Sequence, residues 1–374
     1  MQNKQRIKRA SLCFSLVWGS VHGSVAFAGI QGLGFLPGTS SSNASAISAD
    51  GRVVVGYTSN DYYNSKSFRW DADAGMRELP PVAGDVSTRA AVLSADGRMA
   101  AGLSIGGVSW EAWHNARWDQ TAPEYIAGGT GSIAFPYPRG ISGDGSTILL
   151  QLTGGQSVYL WTNGTIQELN VPTSMQSPVG GLSRDGTTVV GSLSQTKAAT
   201  LAYRYRVGSG YRFLPPLTSG GGAGAKLVSQ DGSLVVGTSS ANGQGHLVRW
   251  DETDKIEDLG SWEFPVSSIV DCMTPDAQLV VGLARLDGDL VSYVWTEAKG
   301  FKFFTDVLSD AGVPLDGWNT LRVTGVSDNG LTFTGEGRNP AGQREAWIVT
   351  IPAPASSALT LLGMLVAARR RRED

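Results

Sequence analysis

Cysteine is nearly missing from this chain of 374 residues, which holds two, Cys13 and Cys272. A scaffold stapled by disulfides is thereby excluded, and no Cys/His spacing suited to zinc exists. Histidine is almost as scarce, with three residues. Charge is thin as well: charged side chains make up 17%, against the ~25% of an ordinary globular chain. With 30 basic and 33 acidic residues and no basic patch, the composition argues against nucleic acid as a partner. What the chain has instead is glycine, 49 residues, and tryptophan, 11, on a 41% hydrophobic composition ample for a core. Gly-rich, Trp-rich and charge-poor sequences build many short strands joined by tight turns.

Both ends read as addresses. Lys4, Arg6, Lys8 and Arg9 precede an apolar stretch from Ala10 to Ala28, the layout of a secretory signal peptide. Ala26 and Ala28 put small side chains where signal peptidase needs them, so the predicted cut falls before Gly29. At the other end Pro352-Ala353-Pro354 leads into fourteen uncharged residues, Ala355 to Ala368, and then Arg369, Arg370, Arg371 and Arg372. At ~1.5 Å per residue this apolar helix spans about 21 Å, short of a ~30 Å hydrocarbon core. The arginines hold its end on the inner side of the membrane. Motif, apolar helix and basic terminus in this order resemble the PEP-CTERM sorting signals, although Ala353 stands where their usual form has glutamate. That resemblance implies processing by an exosortase-type transpeptidase and a transient, membrane-anchored stage before release or attachment at the cell surface. The alternative is an ordinary C-terminal transmembrane anchor.

Three segments follow: a signal peptide over 1–28, a repeat domain over 29–350 and a sorting segment over 351–374. The two ends carry eight of the 30 basic residues and two of the 33 acidic ones. The portion between them is therefore acidic, at 22 minus 31, or −9.

Internal repetition decides the fold. An apolar residue, Ser, any residue, Asp and Gly recur as Ile47-Ser48-Ala49-Asp50-Gly51, Leu93 to Gly97, Ile141 to Gly145, Leu182 to Gly186 and Val228 to Gly232. Met273 to Ala277 and Val326 to Gly330 are degenerate copies. The turn positions 51, 97, 145, 186, 232, 277 and 330 lie 41 to 53 residues apart. A β-rich run follows each turn, with a second Gly five residues after the first in every copy but the third, where Leu150 stands. Farther on come Trp70, Trp118, Trp161, Tyr205, Trp250 and Trp295; Trp347 marks the seventh copy, with a register that could be shifted by two.

Each unit reads as four strands, the first two joined at a Ser-x-Asp-Gly hairpin where Asp closes an Asx-turn and Gly supplies positive φ. A sheet apolar on both faces must stack on its neighbours, and four strands at this period describe propeller blades. The fold class is thus an all-β, seven-bladed β-propeller with four antiparallel strands per blade. The seventh unit has only three strands before Ile351, so the segment from Gly29 to Pro37 is predicted to supply its fourth and close the ring. The pattern resembles the HAF family of extracellular repeats over roughly Gly32 to Ile351. That resemblance implies a surface or secreted protein and no particular activity.

Candidate chemistry is sparse. His114 and His246 fall at equivalent places in blades two and five and are too far apart to share a metal. The repeated Asp residues belong to their turns, and the acidic stretch around Asp287 and Asp289 reads as a loop rather than a calcium site. Aromatics that break the repeat are the candidate ligand contacts: Tyr62, Tyr63, Trp110, Trp113, Trp262 and Trp318. Ligand stacking and inter-blade packing both remain open for them. The expectation is an exported cell-surface or extracellular propeller with a non-catalytic binding or structural role, without catalytic residues, cofactor or metal, and with a glycan or surface protein as ligand. The alternative is a propeller enzyme acting on polysaccharide, a glycosidase or lyase. That alternative needs charged residues off the repeat phase, converging on one mouth of the tunnel.

Overall fold

The structure is a computed structural model that describes residues 29–60, 64–107, 113–126, 136–152, 157–169, 179–194, 200–261 and 266–353. Seven antiparallel sheets of four strands each make up nearly all of it, as the repeat predicts. The innermost strands are Ser41–Ile47, Ser87–Leu93, Pro136–Ile141, Val179–Leu182, Ala223–Val228, Val266–Met273 and Asn319–Val326. Each touches the innermost strand of the next blade, and the seventh returns to the first, so the ring is closed around an axial tunnel.

Every hairpin between first and second strands has the same lock. In blade 1 the Ser48 hydroxyl donates to Asp50 Oδ1 at 2.6 Å, the Arg52 N–H donates to the same oxygen at 3.0 Å, and the Val53 N–H donates to Ser48 Oγ at 3.0 Å. Gly51 takes φ +74°, a conformation that strains any residue with a Cβ. In blade 6 Thr274 stands for the Ser, and Ala277 adopts φ +55° in place of Gly.

The second repeat glycine has a different cause. Each innermost strand carries a β-bulge, and the bulge pushes a carbonyl against the second strand. A Cβ on Gly56 would lie 2.0 Å from the Asn43 oxygen, one on Gly102 2.1 Å from Arg89 O, and one on Gly335 1.9 Å from Arg322 O. In these blades only glycine admits that approach, whereas blade 3 has Leu150 opposite Pro138 beside its bulge.

The cores lie between blades. Val55 and Leu79 of blade 1 pack with Ala90, Ala100 and Trp118 of blade 2, and comparable clusters fill the other junctions. The repeat Trp also ties its blade to the preceding one: the indole N–H of Trp118 donates to Pro80 O at 2.7 Å, that of Trp250 to Pro215 O at 2.8 Å, and that of Trp295 to Leu259 O at 3.1 Å. Trp347 pairs with Gly335, whereas Trp70 pairs with Val54, two residues past the corresponding position on its strand. The shift of two is real, and Val349 takes the usual aromatic position opposite Phe333.

Closure comes from the N-terminal segment. Gln31 and Gly32 pair with Ile348 and Trp347, and the Leu33 N–H donates to Ala346 O. The regular strand is shorter than the predicted Gly29 to Pro37, because Gly34 turns away at φ +84°. Leu33 and Leu36 then pack with Ala44, Phe68 and Trp70 of blade 1 and with Ile348 of blade 7. Predicted contacts Tyr62, Tyr63, Trp110 and Trp262 lie outside the described residues, as do the signal segment with Ala26 and Ala28, Pro354, and Arg369 to Arg372.

Candidate functional site

The two ends of the barrel differ. At one end the Ser-x-Asp-Gly hairpins span five residues, or six in blade 5. Their backbones are linked in sequence around the axis: Ala49 N–H to Ala95 O, Ala95 to Gly143, Gly143 to Arg184, Asp185 to Gln230, Gln230 to Pro275, and Asp328 back to Ala49, at 2.7 to 3.2 Å. The junction of blades 6 and 7 alone goes without, because Pro275 has no N–H to give. Over this ring the Arg184 guanidinium makes a bidentate bridge to the Asp328 carboxylate. Blades 4 and 7 are almost diametrically opposed, so the bridge runs across the tunnel mouth. At the opposite end the connections range from two residues, Asn242 and Gly243, to fifteen over 304–318.

Inside the tunnel the bulges set a second ring. The extra residue falls five positions before the turn Asp, or Asn329, in all seven blades: Ser45, Ala91, Arg139, Gly180, Lys226, Asp271 and Thr324. Two residues separate this ring from the hairpins, about 10 Å of strand. The short members bond around the ring: Ser45 Oγ donates to Ala90 O at 2.9 Å and Thr324 Oγ1 to Ala44 O at 3.0 Å. The ionic members do not repeat. Asp271 accepts from Arg322 at 3.0 Å, its other oxygen is buried without a partner, and burial raises its pKa against the opposing pull of Arg322. Lys226 is lowered by burial first and by the charge of Arg139 second. Arg139 lies against the ring of Tyr137, 5.1 Å from its centroid. Among the described residues neither cation has a carboxylate partner.

The two predicted aromatics among the described residues, Trp113 and Trp318, do not assemble with this ring. Trp318 is 7% exposed and belongs to the core, packed with Leu308, Val313 and Leu321 under a short helix, Phe304–Asp310. The fifteen-residue connection folds into a helix that needs its own apolar filling, so the expected ligand contact at Trp318 is corrected to a packing role. Trp113 opens the third strand of blade 2 opposite Ile105 and is half-buried. Pro352 and Ala353 are exposed on the rim of a cavity of about 610 Å³ over the outer strands of blade 6. Arg139 and Lys226 carry no repeating signal in the sequence and share a position only through the bulge five residues before the turn Asp.

His114 and His246 are separately occupied, with Asp85 at 3.1 Å and Asp258 at 3.0 Å. Asp287 and Gly288 form a tight two-residue turn, not a cation loop. Among the described residues no three His, Cys, Asp or Glu side chains are placed to share a metal ion.

No protein-family model matches the chain, and no curated protein sequence does. Solved structures match the fold. An oligogalacturonate lyase from Vibrio parahaemolyticus superimposes with TM-score 0.59 at 15% identity, over 86% of this chain and 93% of that one. An oligogalacturonate lyase in complex with manganese gives 0.57 at 13%, over 82% and 88%. A prolyl endopeptidase gives 0.56 at 14%, over 84% of this chain but 51% of its own, so the chain spans about half of that enzyme. At these identities the likeness establishes a propeller shared with enzymes. The expectation that this protein is not an enzyme is corrected on that ground: proteins that share this fold include enzymes, and the fold permits such a function.

Proposed function

We propose that this protein is an exported propeller of the cell surface or extracellular matrix that engages a carbohydrate polymer at the face opposite its Ser-x-Asp-Gly hairpins. The observation that carries this reading is the contrast between the ends: one is sealed by a backbone ring and the Arg184–Asp328 bridge, the other bears connections of two to fifteen residues. Variable loops on a rigid scaffold are where recognition residues accumulate. Export is supported by position. The closing strand begins at Gln31, just past the predicted signal cut, and the last strand ends at Thr350, just before Pro352-Ala353-Pro354. Both addresses can therefore be removed without touching the ring, as signal peptidase and an exosortase-type enzyme would do.

A second reading, cleavage of the bound polymer, is favoured by one observation: Lys226, a half-buried lysine whose pKa is lowered by burial and by the charge of Arg139, stands off the repeat phase in the tunnel. The oligogalacturonate lyases make an acidic saccharide the first polymer to try. The test incubates the full chain with polygalacturonate and with a neutral polymer, following co-sedimentation and the appearance of unsaturated ends. Retention of the acidic polymer supports the binding reading, and unsaturated ends support the second. Retention of neither polymer overturns both.

A further inference from the structure

Two cations stand at equivalent positions of alternate blades, near enough for the charge of one to act on the other, in a molecule whose folded part carries an excess of acid. Arg139 and Lys226 occupy the same bulge position in blades 3 and 5, and Gly180 of the blade between them contributes no side chain. A Cβ on Gly180 would meet the backbone of Ala225 and Lys226 at 2.6 to 2.8 Å, so this glycine also lets the strands of blades 4 and 5 close up and set the distance between the two cations. Arg139 is held against Tyr137 rather than against an acid. The ring does contain a carboxylate, Asp271, but Arg322 takes it at 3.0 Å. Arg139 is exposed and Lys226 half-buried, and the two like charges repel without a carboxylate among the described residues to relieve them.

We propose that Arg139 and Lys226 form an oxyanion subsite in the tunnel that takes the carboxylate of an acidic saccharide entering from the face opposite the hairpins. Arginine offers a planar fork and lysine a point charge, a pairing suited to a carboxylate with one oxygen on each. The Arg184–Asp328 bridge obstructs the hairpin mouth, which leaves the other end as the approach. The saccharide identity rests on the carbohydrate reading above; the subsite itself rests on the two cations alone.

The test titrates the full chain with trigalacturonate, with its neutral counterpart galactotriose and with inorganic sulfate, by calorimetry and thermal shift. Trigalacturonate is expected to bind and to raise the melting temperature, with affinity falling as salt rises. Arg139→Met and Lys226→Met should each weaken it by about tenfold to a hundredfold, the usual worth of a charged hydrogen bond. Arg322→Met should leave it within about threefold. Lys226→Met without ligand should melt no lower than the parent, because it removes one of two like charges, which separates loss of the site from loss of the fold. Sulfate binding that depends on both cations, with no trigalacturonate binding, would overturn the saccharide assignment and the carbohydrate reading while the anion subsite stands. Trigalacturonate binding indifferent to both substitutions would overturn the subsite and leave the carbohydrate reading in place. Equal binding of galactotriose, or no binding of either anion, would also overturn the subsite.

Discussion

Trp250 shows how much one repeat residue carries. Its side chain is 0% exposed, fills the junction of blades 4 and 5, and donates its N–H to Pro215 O. Trp250→Ala is expected to cost about 3–5 kcal/mol, the range for removing a buried aromatic. Urea unfolding checks this, and a loss below about 1 kcal/mol would contradict the packing described. Asp231 carries a different load. The Ser233 N–H, the Ser233 hydroxyl and the Ser229 hydroxyl pull it down to about 2, against ~3.9 in an unfolded chain. A carboxyl lowered on folding stabilises above the unfolded value, and its contribution fades as the pH falls from about 4 toward 2. Blade 7 shows the neutral alternative, since Asn329 Oδ1 accepts the same bonds from Ser327 and Leu331. Asp231→Asn should therefore keep the hairpin near neutral pH and flatten the acid loss of stability between about pH 4 and 2. Melting curves across that range provide the check, and an unchanged slope would show that the carboxyl is not held low.

Among the elements, the closing strand has the least regular pairing and the most support from side chains. Glu345 is buried and accepts from the Gly34 N–H at 2.8 Å with one oxygen and from the Asn339 amide at 2.7 Å with the other. The Ser42 hydroxyl donates to Gly34 O, and the Ala346 N–H donates to Ser42 Oγ. A Cβ on Gly32 would lie 2.3 Å from the Glu345 carboxylate, so Gly32→Val should displace that carboxylate and loosen blade 7 from blade 1. Hydrogen exchange at Trp347 and Ile348 should quicken before exchange elsewhere, and uniform protection would show that closure does not depend on this contact. Blade number, strand order and closure were legible because Ser, Asp, Gly and Trp recur at positions where turn geometry and packing demand them. The tunnel was not. Arg139, Lys226 and Asp271 differ from blade to blade, and a search for repetition passes over what does not repeat. Their register becomes visible only when the bulge is seen to fix position five before the turn. Trp318 misled for the opposite reason: a long connection looks like a surface loop until its helix supplies a core.

At the scale of the whole molecule, charge and ends belong together. The ring runs from Gln31 to Thr350 and every bond that closes it lies inside those limits. Excising 1–28 and the residues after Ala353 removes eight basic side chains and leaves a propeller of net −9, computed as 22 against 31. Such a charge favours solubility and repels polyanions at long range, so an acidic ligand must be drawn by the local pair Arg139 and Lys226 rather than by the field of the molecule. Binding in the tunnel should then show slow, weakly steered association and a marked loss with salt only near the site. The ends decide where this happens. With an apolar stretch of about 21 Å, the tail is a poor permanent anchor. The protein recovered from the surface of its host is therefore expected to start at Gly29 and to lack Asp374. Intact mass spectrometry of that material, compared with a host lacking the sorting enzyme, measures both ends at once. A mass that still includes Asp374 in the normal host would establish a retained membrane anchor, and one that still includes Met1 would rule out signal cleavage.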